Sequence, residues 1–354
     1  MYRILSINPG STSTKFGVYE DERNVLEKTI RHSAEELNGF PKVADQFLFR
    51  KELILRELTR EGIAVDFNAV VGRGGLVKPV DAGVYEVNEA LKKDLASAPY
   101  GEHASNLGGL IAAEIAQSIA GCRAFIADPV VVDELQEVAR ITGLPAFRRT
   151  SKFHALNQKA IAKKYAADNG KRYEDLNLIV AHLGGGISVG AHRRGRVIDV
   201  NNAINADGPF SPERAGALPT GDLVDLCFSG KHTQAEIQKM LNGKGGLMAH
   251  LGINEAHVAA QRINDGDKQA ELVMDAMVYN IAKEIGAMAT VLEGAIDAVI
   301  LTGGIAYNQY VVENLKPKIA FLAPVAVYAG EDELGALAMG GLRVLRGEAA
   351  KVYQ

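Results

Sequence analysis

The sequence predicts a two-domain α/β protein whose halves share one plan, and three observations carry that expectation. The chain has 354 residues, more than one hydrophobic core usually serves. Segments with apolar alternation of period two are interleaved with segments of helical period. The order of these segments repeats, because three antiparallel strands followed by strands alternating with helices occur once in each half.

In the first half, alternation marks strands at 2–8, 15–19 and near 25–30, then a helical stretch over 43–60 and a strand at 67–72. Helices over 89–97 and 107–120 lead to "CRAFIADPVVVDE", a strand ending at Asp128 and Pro129. The second half restarts at "LNLIVAHLGGGISVGAHRRGRVIDV", where strand, glycine turn, strand, tight turn and strand follow one another as at the N-terminus. Helices over 222–228, 234–242 and 268–292 come next, then the apolar strand of "DAVILTGG", a helix from Gln309 and a strand at 325–329. A helical tail over 333–345 is expected to pack back on the first domain. The boundaries expected are 1–151, 152–330 and a C-terminal segment 331–354, with a cleft between the related halves.

The 39 basic and 43 acidic residues give a net charge of -4 with no long single-sign block, so there is no electrostatic footprint for nucleic acid or an anionic membrane. No apolar run approaches the roughly 18 residues that span a bilayer. The N-terminus lacks a basic-then-apolar signal pattern, and Cys122 and Cys227 are isolated. A cytoplasmic protein in a reducing compartment is expected. No Cys or His pair has zinc-ligand spacing.

Three Gly-rich turns sit at strand ends. The first runs from Asn8 to Lys15 and includes Gly10, Ser11 and Ser13; the second, "HLGGGIS", contains His182, Gly184, Gly185 and Gly186; the third is Gly303 and Gly304 before a helix, with Asn308 nearby. Small turns that expose backbone N–H groups and hydroxyls can wrap an anion, and a helix N-terminus favours a phosphate edge. Each turn alone is commonly only a turn, but three together suggest a nucleotide. A P-loop is disfavoured, since "NGKRY", "SGKHT" and "NGKGG" all lack its spacing, and "GGGISVG" lies between two strands, where no dinucleotide fingerprint belongs.

The segments "INPGSTSTK", "AHLGGGISVGAH", "NADGPFSPERAGALPTGDL" and "LTGGIAYN" together resemble the butyrate kinase branch of the acetate kinase family. The resemblance covers essentially the whole chain. It implies duplicated actin-like ATPase domains of the ribonuclease H-like kind, and reversible phosphoryl transfer from ATP to a short-chain carboxylate, butyrate or isobutyrate, through an acyl phosphate. Mg²⁺ with ATP or ADP, and a homo-oligomer of at least two chains, come with that resemblance. By the same resemblance the first turn meets the γ-phosphate, with Lys15 a further phosphate contact, the second turn the β-phosphate, and the Gly303–Gly304 turn the adenosine. Asn8 stands where many relatives of the wider superfamily have an Asp, which gives it an indirect part at the metal.

A carboxylate nucleophile needs no general base, so the site should supply charge neutralisation and alignment. The resemblance assigns Arg73 to substrate binding, His182 and, less closely, His103 to the transferring phosphoryl, and Asp128 to orienting Arg73 or a histidine. The second catalytic arginine of the family is absent from its usual slot, where this chain has Leu218, Pro219, Thr220, Gly221 and Asp222; Arg214 just upstream is the expected substitute. Glu331, Asp332 and Glu333 are all candidates for the late metal acid, with Glu331 chosen. Gly74 and Gly75, with Leu76 and the small Ala181, are expected to leave room for a four-carbon chain. Two other readings stand beside this one: an acetate or propionate kinase, and an ATPase or nucleotide-binding module of the same fold.

Overall fold

The computed structural model describes residues 1–204 and 207–354. Asn205 and Ala206, which open the segment "NADGPFSPERAGALPTGDL", lie outside the described residues. The chain forms two compact units: Met1–Val132 with Asp332–Gln354, and Asp133–Glu331.

In the first unit, β1 (Arg3–Pro9), β2 (Ser13–Glu20) and β3 (Arg23–Arg31) form an antiparallel meander. The short helix α1 (Ala34–Asn38) and the helix α2 (Phe47–Arg60) lead to β4 (Ala69–Arg73), which pairs in parallel with β1. Then come β5 (Val84–Glu86), α3 (Glu89–Ser97), α4 (Asn106–Gln117) and β6 (Arg123–Ala127). β1 is buried on both faces, as a central strand requires, whereas β3 at the edge alternates between exposed and half-buried residues. One core is built from Leu5, Ile7, Phe16 and Val18 of the meander against Ile54 and Leu58 of α2 and Leu107, Ile111 and Ile115 of α4.

In the second unit, α5 (Glu137–Arg140) and α6 (Ala155–Asp168) precede the meander β7 (Asn177–Leu183), β8 (Ile187–Arg193) and β9 (Arg196–Val200). Helices α7 (Thr220–Phe228), α8 (Gln234–Leu241), α9 (Gly246–Leu251), α10 (Ala256–Asn264) and α11 (Lys268–Val291) follow, then β10 (Ala298–Gly303), α12 (Gln309–Ile319) and β11 (Val325–Ala329). α13 (Glu333–Leu345) and β12 (Lys351–Val352) return to the first unit, where α13 packs on β1, β2 and β4 and β12 pairs with β5.

The duplication is visible in the sheets. The first runs β12-β5-β6-β4-β1-β2-β3 and the second β11-β10-β7-β8-β9. A meander continued by two parallel strands, β4 and β6 in one unit and β10 and β11 in the other, is common to both. The division between the units falls after Val132 rather than at 151. The reason is local: the Gln136 N–H bonds to Ile198 O at 3.0 Å, Arg149 pairs with Asp199 at 2.8 Å, and buried Lys159 pairs with Glu134 at 2.6 Å.

Candidate active site

The first turn, residues 10–12, joins β1 to β2. The Gly10 N–H donates to Ser13 O at 2.7 Å, and the His32 N–H donates to Thr12 O at 2.9 Å. Beneath it lies Arg50, fully buried because it shares the core-facing stripe of α2 with Ile54 and Leu58. Its guanidinium donates to Gly10 O at 2.8 Å, Ser13 O at 3.0 Å, Ser11 O at 3.4 Å and Thr14 Oγ1 at 3.1 Å, and twice to Gln46 Oε1. Burial pushes its pKa down to about 10, so it stays charged at neutral pH. Among the described residues no peptide bond is cis, and in a trans peptide the N–H points opposite to the carbonyl. Drawing the Gly10 and Ser11 carbonyls onto Arg50 therefore turns the Ser11 and Thr12 N–H groups away from it, as an anion cradle requires.

Asn8 and Arg73 leave neighbouring strand ends, since Ile7 of β1 is in register with Gly72 of β4. Arg73 Nη1 donates to Asn8 Oδ1 at 3.3 Å and pairs with the Glu333 carboxylate at 2.9 Å; the Asn8 amide also donates to Glu333. Glu333 opens α13, where a carboxylate is favoured by the helix N-terminus. The position of Arg73 is set by backbone contact between β4 and α4. A Cβ on Gly72 would land on the Gly108 carbonyl, and one on Gly108 would strike the Arg73 backbone. Lys15 is exposed and directly opposite Asn8 in the β1–β2 ladder, hence on the same face of the sheet. His103 Nδ1 accepts from the Ser105 N–H at 3.1 Å, which leaves the proton of the neutral ring on Nε2. Desolvation by its loop and the charge of Arg73 lower its pKa.

In the second unit, His182 and Ser188 face each other across β7 and β8. The N-terminal turn of α6 lies on that pair: His182 Nδ1 is 2.8 Å from Asn157 Oδ1, and His154 Nδ1 is 2.9 Å from Ser188 Oγ. The two imidazoles stack with centroids 3.7 Å apart and planes 9° from parallel. His182 Nε2 lies 3.7 Å from Glu331 Oε1, and a Cβ on Gly184 would sit 3.0 Å from the same nitrogen, so this edge of the ring borders the second turn. Two further side chains brace the turn. Ser211 Oγ donates to Gly185 O at 2.6 Å, and the Arg214 guanidinium lies over Gly186, where any Cβ would overlap it. Arg214 also donates to Ala203 O, and burial lowers its pKa.

The third turn borders a cavity of about 470 Å³ lined by Glu255, Ala256, His257, Gly304, Tyr307 and Asn308. Gly303 packs its Cα on the backbone of Leu183, while the space beyond Gly304 is open.

The acetokinase family model matches residues 146–331. The chain is 56% identical to butyrate kinase 1 of Clostridium acetobutylicum over 356 residues, covering 100% of both proteins. It is also 56% identical to a probable butyrate kinase of Bacteroides thetaiotaomicron over 346 residues, 98% of each chain. The chain belongs to the acetokinase family. Its fold is that of a solved family structure, the Porphyromonas gingivalis acetate kinase, with a TM-score of 0.79 at 21% identity, covering 98% of this chain and 100% of the other.

Against this acetokinase frame, several expected residues stand elsewhere than the sequence suggested. Asp128 does not hold Arg73: its carboxylate accepts from the Gly83 N–H at 2.7 Å, while Arg73 is held by Asn8 and Glu333. The late acid brought to Asn8 is Glu333. Glu331 lies beside His182, and Asp332 caps α13 through the Gly335 N–H at 2.7 Å. Gly74 and Gly75 leave no space for an acyl chain. A Cβ on Gly75 would come within 2.5 Å of the Asn106 Cα, and one on Gly74 within 2.5 Å of the Pro129 Cβ. Ala181 points away from His182 into the core formed by Ile179, Leu183 and α11. Leu76, half-buried beside Gly101, is the only one of those four whose side chain is available near the Arg73 and His103 loops. Asn308 lines the cavity, but its amide bonds Ala256 O at 2.9 Å and caps α12.

Arg50, His154 and Asn157 were not foreseen. An arginine in an apolar helical stripe was the available signal for Arg50. For His154 there was none, because its partner Ser188 is 34 positions away.

Proposed function

We propose that the chain transfers the γ-phosphoryl group of ATP to butyrate, or to a branched relative such as isobutyrate, giving the acyl phosphate and ADP reversibly. The observation that carries the acceptor is identity over the full length to relatives named butyrate kinase. The carboxylate is ionised at neutral pH, so the step needs no general base. A carboxylate oxygen bonds to the γ-phosphorus as the bond to the β–γ bridging oxygen breaks, and ADP departs with that electron pair.

Arg73 receives the carboxylate, and Leu76 lies beside the acyl chain. The Ser11 and Thr12 N–H groups and Lys15 hold the γ-phosphate, the second turn holds the β-phosphate, and the cavity beside Gly304 takes the adenosine. The stacked pair His154 and His182, with Arg214, meets the equatorial oxygens of the transferring group, where donors fixed in advance stabilise developing charge most effectively. His103 supports Arg73 on the acceptor side.

Mg²⁺ fits the donors present. Asn8 and Glu333 offer hard oxygens, and among the described residues no group of three or more His, Cys, Asp and Glu could cage a metal alone, as suits an ion that keeps water and takes most of its ligands from phosphates. When bound, it neutralises charge on the phosphate oxygens. Self-association through the second unit is supported by α7, which has no buried residue and leaves Val224 and Phe228 exposed. No helix among the described residues is long and apolar enough to cross a membrane, in keeping with a cytoplasmic site of action.

The test is ADP release with and without carboxylate, with hydroxylamine trapping, over acetate to valerate and isobutyrate. Carboxylate-dependent turnover with the highest kcat/KM on butyrate or isobutyrate is expected. A preference for acetate or propionate would overturn the acceptor, and carboxylate-independent ADP release would overturn the kinase. Arg73→Ala should raise the carboxylate KM and lower kcat, whereas His182→Ala should act mainly on kcat.

A further inference from the structure

Behind the stacked imidazoles runs a buried polar chain with no part in the transfer as described above. Gln158 of α6 is fully buried, its Nε2 3.0 Å from Ser188 O and 2.9 Å from Ser188 Oγ. A backbone carbonyl only accepts, so the amide nitrogen must face Ser188 and the amide oxygen must face His192, whose Nε2 is 2.9 Å away. That oxygen only accepts in turn, so His192 carries its proton on Nε2. Its Nδ1 then accepts from the Tyr173 hydroxyl at 2.7 Å. Complete burial and the charge of Lys159 hold the His192 pKa well below the ordinary histidine value, so the ring has the single proton this order requires.

At the other end, Ser188 Oγ already receives an N–H from Gln158. Ser188 is fully buried, and among the described residues His154 Nδ1, 2.9 Å away, is the one acceptor its O–H can reach, so the hydroxyl donates there. We propose that Gln158 and Ser188 are positioning residues that hold His154 Nδ1 as an acceptor and its proton on Nε2, so that this ring of the stacked pair presents an N–H donor to the transferring phosphoryl group. Each contact in the series Tyr173, His192, Gln158, Ser188, His154 then joins a donor to an acceptor, and a reversed Gln158 amide fails at the Ser188 carbonyl. His182 carries a proton on Nδ1, which donates to the Asn157 oxygen. The catalytic part of the proposal rests on the reading that this pair meets the phosphoryl group; the tautomer itself does not.

The test uses the full-length chain labelled with ¹⁵N-histidine. Long-range ¹H–¹⁵N spectra separate protonated from unprotonated ring nitrogens, and the His154 signals are assigned by their loss in His154→Gln. The wild type is expected to show His154 protonated on Nε2 and His192 protonated on Nε2. Ser188→Ala should move His154 toward a tautomer mixture and lower kcat on the order of tenfold, the cost of weakening one fixed donor, with the ATP KM within about twofold. Ser188→Thr, which keeps the hydroxyl, should restore both. Tyr173→Phe should leave His154 unchanged, since the Ser188 carbonyl alone orients Gln158.

A wild-type His154 protonated on Nδ1 overturns the proposal even if no variant folds. A Ser188→Ala spectrum with an unshifted His154 overturns the positioning role, and a shifted tautomer with unchanged kcat overturns its use in catalysis. A wild-type chain without carboxylate-dependent turnover would instead sink the kinase reading, and the spectra would still decide the tautomer.

Discussion

Arg50 is the residue whose removal should separate support of the first phosphate turn from the chemistry there. Arg50→Met keeps the length of the side chain and its apolar stem but deletes every donor to Gly10 O, Ser11 O, Ser13 O, Thr14 Oγ1 and Gln46 Oε1. The Ser11 carbonyl is at an exposed residue and can turn to water, whereas Thr14 is fully buried and Gln46 nearly so. Counting the three hydrogen bonds to the buried Thr14 Oγ1 and Gln46 Oε1 at about 1.5 kcal/mol each gives a loss of about 4 to 5 kcal/mol. Relief of the buried charge offsets part of this, so the net cost is about 2 to 3 kcal/mol. Arg50→Lys restores the charge and up to three donors but not the planar fork, and about half of that cost should remain.

The turn is the element expected to loosen. Ordering one or two backbone residues costs about 1 to 2 kcal/mol each, so ATP would have to re-form the cradle at a price near 2 kcal/mol, equivalent to a roughly 30-fold higher ATP KM. Urea unfolding gives the stability change, provided the m-value is unchanged, and initial rates against ATP and against butyrate give the split. The carboxylate KM should stay within about threefold, because Arg73 is held by Asn8 and Glu333 and not by Arg50. A folded Arg50→Met that loses less than about 0.5 kcal/mol, or in which both KM values rise together, would refute this role of Arg50.

Gly75→Ala should prevent soluble folding or depress activity equally on all acids, because its Cβ meets the Asn106 backbone; Leu76→Ala should instead raise the valerate-to-butyrate ratio of kcat/KM by roughly fourfold, the worth of burying about one methylene at about 0.8 kcal/mol. A folded Gly75→Ala that shifts preference toward acetate would contradict this. Glu333→Gln should lower kcat by on the order of tenfold or more and raise the Mg²⁺ needed for half-maximal rate, with Glu331→Gln much milder on the metal titration; the reverse order would reassign the metal acid. Glu284 on α11 is pushed up to about 7 by burial and by Asp207, against the pull of Arg149. The fold therefore holds a proton that the unfolded chain releases above about 4.5, and this stabilisation is lost as pH rises through 7. Glu284→Gln should match the wild type near pH 4.5 and exceed it by about 3 kcal/mol at pH 8, and a difference that does not change with pH in urea titrations would refute the assignment.

What the sequence showed best was whatever depends on local spacing. β11 and α13 occupy the expected residues, the strands of both meanders fall within a few residues of theirs, and the turns at 10–12 and 184–186 are where the glycines and hydroxyls placed them. α6 was missed because its buried residues are Ala155, Leu156, Asn157, Gln158, Lys159, Ala162 and Ala166, so that Leu156 is the one large apolar side chain among them and no apolar stripe can be read. The same polar face is what carries His154, Asn157 and Gln158 to the β7–β8 pair, so the helix hardest to see is the one that arranges the histidines. Gly74 and Gly75 misled for a related reason: a glycine beside a site looks like added room, yet in a close-packed interior the backbone of α4 and Pro129 occupy it. The duplication, too, is one of strand order and not of support. The first turn is held through its carbonyls by a buried guanidinium on α2, while the second is braced by Ser211 and by Arg214 lying over Gly186. Equivalent substitutions in the two turns should therefore differ in kind: a side chain at Gly186 displaces a candidate catalytic arginine and strikes chemistry first, whereas the Cβ added at Gly10 meets only the ordinary contacts of Ser13 and is tolerated.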